Sequence, residues 1–225
     1  MTVRVLLVDD QILVRAGFRM VIDAQPDLTV VGEAGDGLAA LEDTKRLRPD
    51  LVLMDVRMPV LDGIEATRRV LALPDPPKVV ILTTFDLDEH ALAAIRAGAS
   101  GFLLKDATPE ELLAAVRTVH AGDAVIAAST TRRLLDHLAP PLDPAAVRLV
   151  TTLTDREREV LVAMARGWSN LEIAERLVVS TGTIKTHVGN ILAKLQVRDR
   201  VQAVVIAYEA GVVRPGDPSA GPGRR

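Results

Sequence analysis

Residues 51–73 read LVLMDVRMPVLDGIEATRRVLAL. Four apolar residues run without a break, Asp55 closes the run, and from Gly63 onward apolar residues return at helical spacing. A wholly apolar run this short predicts a strand buried on both faces, as in a parallel sheet covered by helices. The same unit recurs on either side. Val3–Val8, Leu28–Gly32, Lys78–Thr83 and Gly101–Leu104 are further short strands. Ile12–Ala24, Gly37–Arg48, Asp88–Ala97 and Thr108–Ala121 join Gly63–Leu73 as helices. Five strands alternating with five helices predict an α/β fold over residues 1–121, a doubly wound five-stranded parallel sheet. Thr108, Pro109 and Glu111 mark the last helix start as cap, first helical residue and capping-box acid.

The pattern then changes. Residues 122–148 contain Ala139-Pro140-Pro141 and Asp143-Pro144, which interrupt helices, and are expected to be a linker with one short helix at Thr130–Leu138. Residues 149–213 lose the strand pattern and predict a small all-α four-helix domain. Thr154 with Glu157 and Ser169 with Glu172 are capping-box pairs, and Ser180 caps a third helix. Asp199–Ala210 is a fourth, with Val201, Val204, Val205 and Tyr208 on one face. Only Val178-Val179-Ser180 separates the second from the third, the spacing of a helix-turn-helix. Residues 214–225, RPGDPSAGPGRR, are expected to form a disordered tail.

The chain has 225 residues, 48% hydrophobic and 25% charged, which is enough apolar material for packed cores. Aromatics are only 2%, so those cores must be aliphatic. With no Cys, a disulfide scaffold, a thiolate metal site and a Cys nucleophile are excluded. The four His, at 90, 120, 137 and 187, lie far apart. No run approaches the ~18 apolar residues of a membrane helix. The N-terminus lacks a signal peptide's long apolar region, so a cytoplasmic protein with no membrane partner is expected. Residues 1–120 hold 13 Lys+Arg against 19 Asp+Glu, whereas residues 149–225 hold 11 against 8. An acidic front and a mildly basic back predict two domains with different partners.

In a doubly wound sheet, ligands bind beyond the carboxyl ends of the strands. There the sequence sets Asp9-Asp10 after the first strand and Asp55 after the third, with Thr83-Thr84 ending the fourth and Lys105 the fifth. Each alone is ordinary, since Asp favours turns and a lone Lys is usually a solvated charge. Together they bring three carboxylates, a hydroxyl and an ammonium to one edge. Clustered carboxylates repel unless a cation joins them, and an oxygen-only donor set suits Mg2+. Mg2+ with a Lys beside a carboxylate suits phosphoryl transfer, in which the carboxylate can be the nucleophile and form an aspartyl phosphate.

These residues sit in VLLVDD (5–10), LVLMDVRMPVLDGIEA (51–66), VVILTTFD (79–86) and GASGFLLKDA (98–107). By those motifs residues 1–121 resemble a bacterial response-regulator receiver domain, a flavodoxin-like fold. The resemblance implies that Asp55 is the phosphoacceptor. It implies that Asp9, Asp10 and the backbone carbonyl of Arg57 join Asp55 in holding Mg2+, and that Lys105 grips the phosphoryl oxygens. Thr83 would be the switch hydroxyl and Phe102 the switch aromatic behind it. Three departures stand out. Phe102 replaces the commoner Tyr, Asp106 follows Lys105 as in the NarL/FixJ subfamily, and Val60 sits where Gly is frequent.

The segments NLEIA (170–174) and TIKTHV (183–188) make the chain from about residue 150 to 213 resemble a LuxR-type helix-turn-helix. The implied order is a scaffold helix at 155–166, a positioning helix at 170–177, a recognition helix at 181–195 and a dimer helix at 199–210. Lys185 and Thr186 match the base-reading positions, Lys for guanine acceptors and the Thr methyl for a thymine methyl. Thr183, His187, Asn190 and Lys194 lie near enough for phosphates or water bridges, and Arg198 and Arg200 are further phosphate candidates. Ile173, Ala174, Leu177, Ile184, Val188 and Leu192 read as core. Gly189 replaces a polar or basic residue, which removes a potential contact and costs about 1 kcal/mol of helix propensity. Trp168 replaces a commoner Leu and reads as packing.

Together the two resemblances imply a phosphorylation-controlled transcription regulator with no enzymatic turnover beyond its own phosphorylation chemistry. A sensor histidine kinase is the expected donor, promoter DNA in double-stranded form the target, and a homodimer the phosphorylated state. Three rivals differ at identifiable residues. Haloacid-dehalogenase-like phosphatases also use a nucleophilic Asp but favour a second Asp two residues on, where this chain has Arg57. A ligand-gated autoinducer regulator needs an aromatic-lined pocket, which the aromatic-poor front half cannot supply. A phosphorylation-independent receiver is at odds with the complete acidic set.

Overall fold

A computed structural model describes residues 2–83, 93–121 and 142–214. The chain divides into two compact units between Val125 and Ile126. In the first, β1 (Val3–Val8), β2 (Leu28–Ala34), β3 (Leu51–Asp55), β4 (Lys78–Thr83) and β5 (Gly101–Leu104) form one parallel sheet in the order β2-β1-β3-β4-β5. The order runs outward from β1 in both directions, so the crevice of this doubly wound sheet opens at the carboxyl ends of β1 and β3. Register fixes the level of that edge. Val8 pairs with Met54, Asp55 with Leu82 and Thr83 with Leu104. The residues expected at the strand ends therefore share one rim.

The helices of this unit are α1 (Ile12–Asp23), α2 (Gly37–Leu47), α3 (Gly63–Leu71) and α4 (Pro109–His120). Local chemistry starts three of them. Asp36 accepts the Leu38 and Ala39 N–H groups, Asp62 accepts that of Glu65, and Thr108 forms a capping box with Glu111. Of the helix expected at Asp88–Ala97, only residues 93–96 are described as helical; Thr84 and the rest of that segment lie outside the described residues. β2 runs past the expected Gly32 to Ala34. The core is aliphatic as composition demanded. Val5, Leu7, Leu51, Leu53, Val80 and Leu82 of the sheet meet Ile22 of α1 and Leu112, Val116 and Val119 of α4, with Phe18 at the margin. Every residue of β3 is buried, which explains its unbroken apolar run.

The second unit holds five helices among its described residues: α5 (Pro144–Val150), α6 (Asp155–Ala165), α7 (Asn170–Leu177), α8 (Thr181–Leu195) and α9 (Arg200–Glu209). The last four match the expected scaffold, positioning, recognition and dimer helices to within a residue. The first is a correction to the four-helix expectation, because it starts within the segment read as linker and runs two residues past that segment's expected end at 148. Pro144 does not break this helix but begins it, at the position where an N–H has no helical partner anyway. Asp143 caps it through the Ala145 N–H, and the Asp143 N–H donates to Glu209 O at 2.9 Å. Ala146 and Val150 are buried. The expected helix at Thr130–Leu138, the Ala139-Pro140-Pro141 break and the tail beyond Arg214 lie outside the described residues.

In α8 the buried row is Ile184, Val188, Ile191 and Leu195, while Leu192 and, in α7, Leu177 are half-buried. Val201, Val204, Val205 and Tyr208 of α9 are all buried. Among the described residues no helix is long and apolar enough to cross a membrane.

Candidate functional site

The sheet's carboxyl edge gathers the acids. Asp9 follows β1, Asp55 is the last residue of β3, and with Asp10 they bring one carboxylate oxygen each to within 4.8 Å of one another. Asp9 and Asp55 are buried and Asp10 is exposed. Lys105, just past β5, sends Nζ to 2.8 Å from Asp9 Oδ2 and 3.0 Å from Asp55 Oδ2. Its backbone N–H donates to Thr83 O at 2.8 Å, which ties the Lys105 backbone to the end of β4. Thr83 is buried one residue beyond the register partner of Asp55, and Phe102 is buried in β5. The backbone N–H of Arg57 donates to the Asp55 carboxylate.

Burial pushes the Asp55 carboxyl up, and the negative charge of Asp9 adds to the rise, while the Lys105 ammonium and the Arg57 N–H only partly oppose it. For Lys105, burial favours the neutral form, but Asp9 and Asp55 outweigh it and hold the ammonium above its usual range. One ammonium against three carboxylates leaves an excess of negative charge. Asp9 Oδ1 accepts the Gln11 N–H at 2.9 Å. Its buried Oδ2, though ion-paired to Lys105, completes no hydrogen bond of normal geometry. An all-oxygen donor set with one unsatisfied buried oxygen fits a hard divalent cation such as Mg2+.

The loop after β3 explains two motif residues. The Gly63 N–H donates to Val56 O at 2.9 Å, bringing the start of α3 against the end of β3. Val60 has φ 67° and is 77% exposed; the Leu61 N–H reaches Pro59 O at 2.7 Å across it, a tight γ-turn. The position where Gly is frequent is thus left-handed here too, and Val adopts it at a steric cost. One group that sequence reading passed over also belongs to this edge. Arg15 of α1 reaches the backbone carbonyl of Asp9. No sequence signal marked it, since a lone Arg in a helix reads as a solvated charge.

In the second unit, α8 presents Thr183, Lys185, Thr186 and Asn190 to solvent, with His187 half-buried. Ser180 caps α8, and its Oγ also lies 2.9 Å from that of Thr183. Thr186 Oγ1 donates to Gly182 O at 3.1 Å, so its hydroxyl is turned to its own helix. Lys194 is engaged within the unit, where its Nζ lies 2.6 Å from buried Glu157, the capping-box acid of α6. Lys194 and the two Thr154 bonds to Glu157 hold that carboxyl below the usual range. Arg200 corrects its reading as a phosphate candidate. It is buried, donates to Asn170 Oδ1 at 3.0 Å, and also donates to the carbonyl of Trp168. Arg198 is half-buried beside Asp199 at 3.4 Å. Trp168 does pack, with the Arg176 guanidinium 3.8 Å over its ring.

An acidic rim on a five-stranded parallel sheet, followed by a helix-turn-helix, defines a two-module regulator: one module senses, the other binds DNA. Residues 5–117 match the response regulator receiver domain family, and residues 151–207 match the luxR family of bacterial regulatory proteins. The chain belongs to the family of transcriptional response regulators that join these two domains. It is 47% identical over 213 residues to the transcriptional regulatory protein YxjL of Bacillus subtilis, covering 94% of this chain and 98% of that one. The transcriptional regulatory protein LiaR of the same organism is 39% identical over 211 residues, covering 94% and 99%. The crystal structure of the response regulator ChrA, from a heme-sensing two-component system, is 37% identical with TM-score 0.52, covering 94% and 99%. Members are DNA-binding regulators, not enzymes in the usual sense, and a receiver joined to such a domain implies a kinase and DNA as partners.

Proposed function

We propose that Asp55 accepts a phosphoryl group and that this change controls DNA binding by α8. The observation that carries the reading is Lys105 Nζ at 2.8 and 3.0 Å from the Asp9 and Asp55 carboxylates on one buried rim. Residues 1–121 are the phosphoacceptor module, and residues 149–213, extended back to Asp143 by α5, are the DNA-binding module. The donor is a phosphohistidine of a sensor kinase. Ile12, Leu13 and Met20, exposed on α1 just after Asp10, offer apolar surface for that partner. The Asp55 carboxylate oxygen attacks phosphorus, the P–N bond breaks, and the imidazole leaves with the electron pair. Asp9, Asp10, Asp55 and the Arg57 carbonyl would hold Mg2+, which supplies the charge that neutralises the transferring group. Lys105 leaves Asp55 to grip the phosphoryl oxygens, and Thr83 turns its hydroxyl to them. Phe102 shifts with Thr83 and passes the change to the surface.

The phosphorylated chain acts as a homodimer on promoter DNA. Lys185 and Thr186 read bases; the turned-in hydroxyl of Thr186 leaves its methyl for apolar contact with thymine. Thr183, His187 and Asn190 flank them at phosphates or water bridges. Lys194 adds a phosphate contact through the N–H groups that do not face Glu157. The test uses a small acyl-phosphate donor with Mg2+. Wild type gains the mass of one phosphoryl group and binds DNA more tightly, and Asp55→Asn does neither. Equal stimulation of the variant would overturn the proposal.

A further inference from the structure

Asp9 is fixed at its backbone as well as at its carboxylate, whose Oδ2 faces the Lys105 ammonium at 2.8 Å. Its N–H donates to Ala34 O of β2 at 3.1 Å, and its Oδ1 accepts the Gln11 N–H. Its carbonyl oxygen accepts from Arg15 Nη1 at 2.5 Å. Arg15 is itself fixed, because Nε donates to Glu33 Oε2 at 3.0 Å near the end of β2. The Arg15 side chain is only 15% exposed, and that of Glu33 is 29% exposed. The other Glu33 oxygen accepts from Arg19 Nε at 2.5 Å. A helix residue thus spans the ends of two strands and clamps the backbone of one buried carboxylate. A guanidinium suits this task, since its rigid planar fork holds separate donors, Nη1 for the carbonyl and Nε for the carboxylate, in one fixed orientation, whereas an ammonium offers a single rotatable nitrogen.

We propose that Arg15 is a positioning residue: by fixing the Asp9 backbone it aims Oδ2 into the rim and so sets the protein's affinity for Mg2+. The inference rests on the reading that the rim binds this cation. Glu33 orders the guanidinium; Arg19 holds the far oxygen of Glu33 and pairs with Asp23 at 3.5 Å, without touching Asp9. Groups that orient a metal ligand without touching the metal typically change affinity by about 10–100-fold.

The test is calorimetric titration of the full chain with MgCl2 alone. Arg15→Gln should weaken Mg2+ by about tenfold or more. Arg19→Gln, which leaves the Asp9 contact intact, should stay within about twofold of wild type on the same scale. At saturating Mg2+, acyl-phosphate labelling of Arg15→Gln should recover most of the wild-type rate, because the nucleophile and Lys105 are untouched. Unchanged affinity in Arg15→Gln, or an equal loss in Arg19→Gln, would overturn the proposal. Should Arg15→Gln fail to fold by circular dichroism, Arg15→Lys serves in its place and should still lose affinity, since its single rotatable nitrogen lacks the separate, fixed Nε and Nη1 donors that hold Glu33 and Asp9 in one orientation. Absence of Mg2+ binding in wild type would instead sink the reading of the rim itself.

Discussion

A Cβ built on Gly63 would lie 1.8 Å from the carbonyl oxygen of Asp55 and 2.9 Å from its carbonyl carbon. The glycine of the motif is therefore steric: α3 can start against the end of β3 only without a side chain. Gly63→Ala should lower stability by about 2–3 kcal/mol in urea unfolding and slow labelling, because relief of the clash displaces Asp55. Asp55 makes a second point at this scale. Its raised native pKa means the folded chain binds that proton more tightly than the unfolded chain does. Its contribution to stability is thus fully present at low pH and is lost as pH rises through the native value. In EDTA at neutral pH, Asp55→Asn should melt above wild type, and the two should converge in acid. A variant that melts below wild type at neutral pH would refute this sign. The residue types of the rim were legible in sequence because they close apolar strands. The contacts of Lys105 and Lys194 were not, because each joins positions far apart in the chain; Arg15 reaches Asp9 only six residues away, but from a helix back to a strand end, which no periodicity or cap rule marks.

At the scale of elements, caps were the most legible feature, since a cap needs only residues three apart. Thr108, Thr154 and Ser169 all form the expected boxes. The turn between α7 and α8 is less comfortable. Val178 ends α7 with φ 54° and is 88% exposed, so no packing offsets the cost of a β-branched residue in the left-handed region. Val178→Gly should stabilise the DNA-binding unit by about 1 kcal/mol, measured by thermal unfolding. No gain would mean that the unfolded chain's added freedom cancels the relief. α5 was illegible for the opposite reason. Seven residues do not hold a helix alone; burial of Ala146 and Val150 and the bond to Glu209 make it one.

At the scale of the whole molecule, the acidic front and basic back separate as two compact units with different chemistry. The basic excess is small, so the sequence-independent electrostatic pull on DNA is limited and a few side chains carry the discrimination. Lys185→Ala should narrow the gap between a selected site and scrambled DNA by about 1–3 kcal/mol, read by fluorescence anisotropy. An equal loss on both DNAs, with a salt slope about one unit shallower, would move Lys185 from base reading to the phosphate backbone.

The sequence by itself determined the succession of the five strands and of the helices it marked, the caps at Thr108, Thr154, Ser169 and Ser180, and the acids that close β1 and β3. These follow from short-range rules: apolar periodicity, the cap three residues away, the turn that ends a strand. Tertiary structure alone decided the rest. It placed the Lys105 ammonium between two carboxylates, folded α5 from a stretch read as linker, and clamped Asp9 with Arg15. It also turned Arg200 inward, away from the DNA role its charge suggested. A charged side chain carries no mark of its partner, because the partner is chosen by strand register and helix packing, and those exist only once the chain is folded.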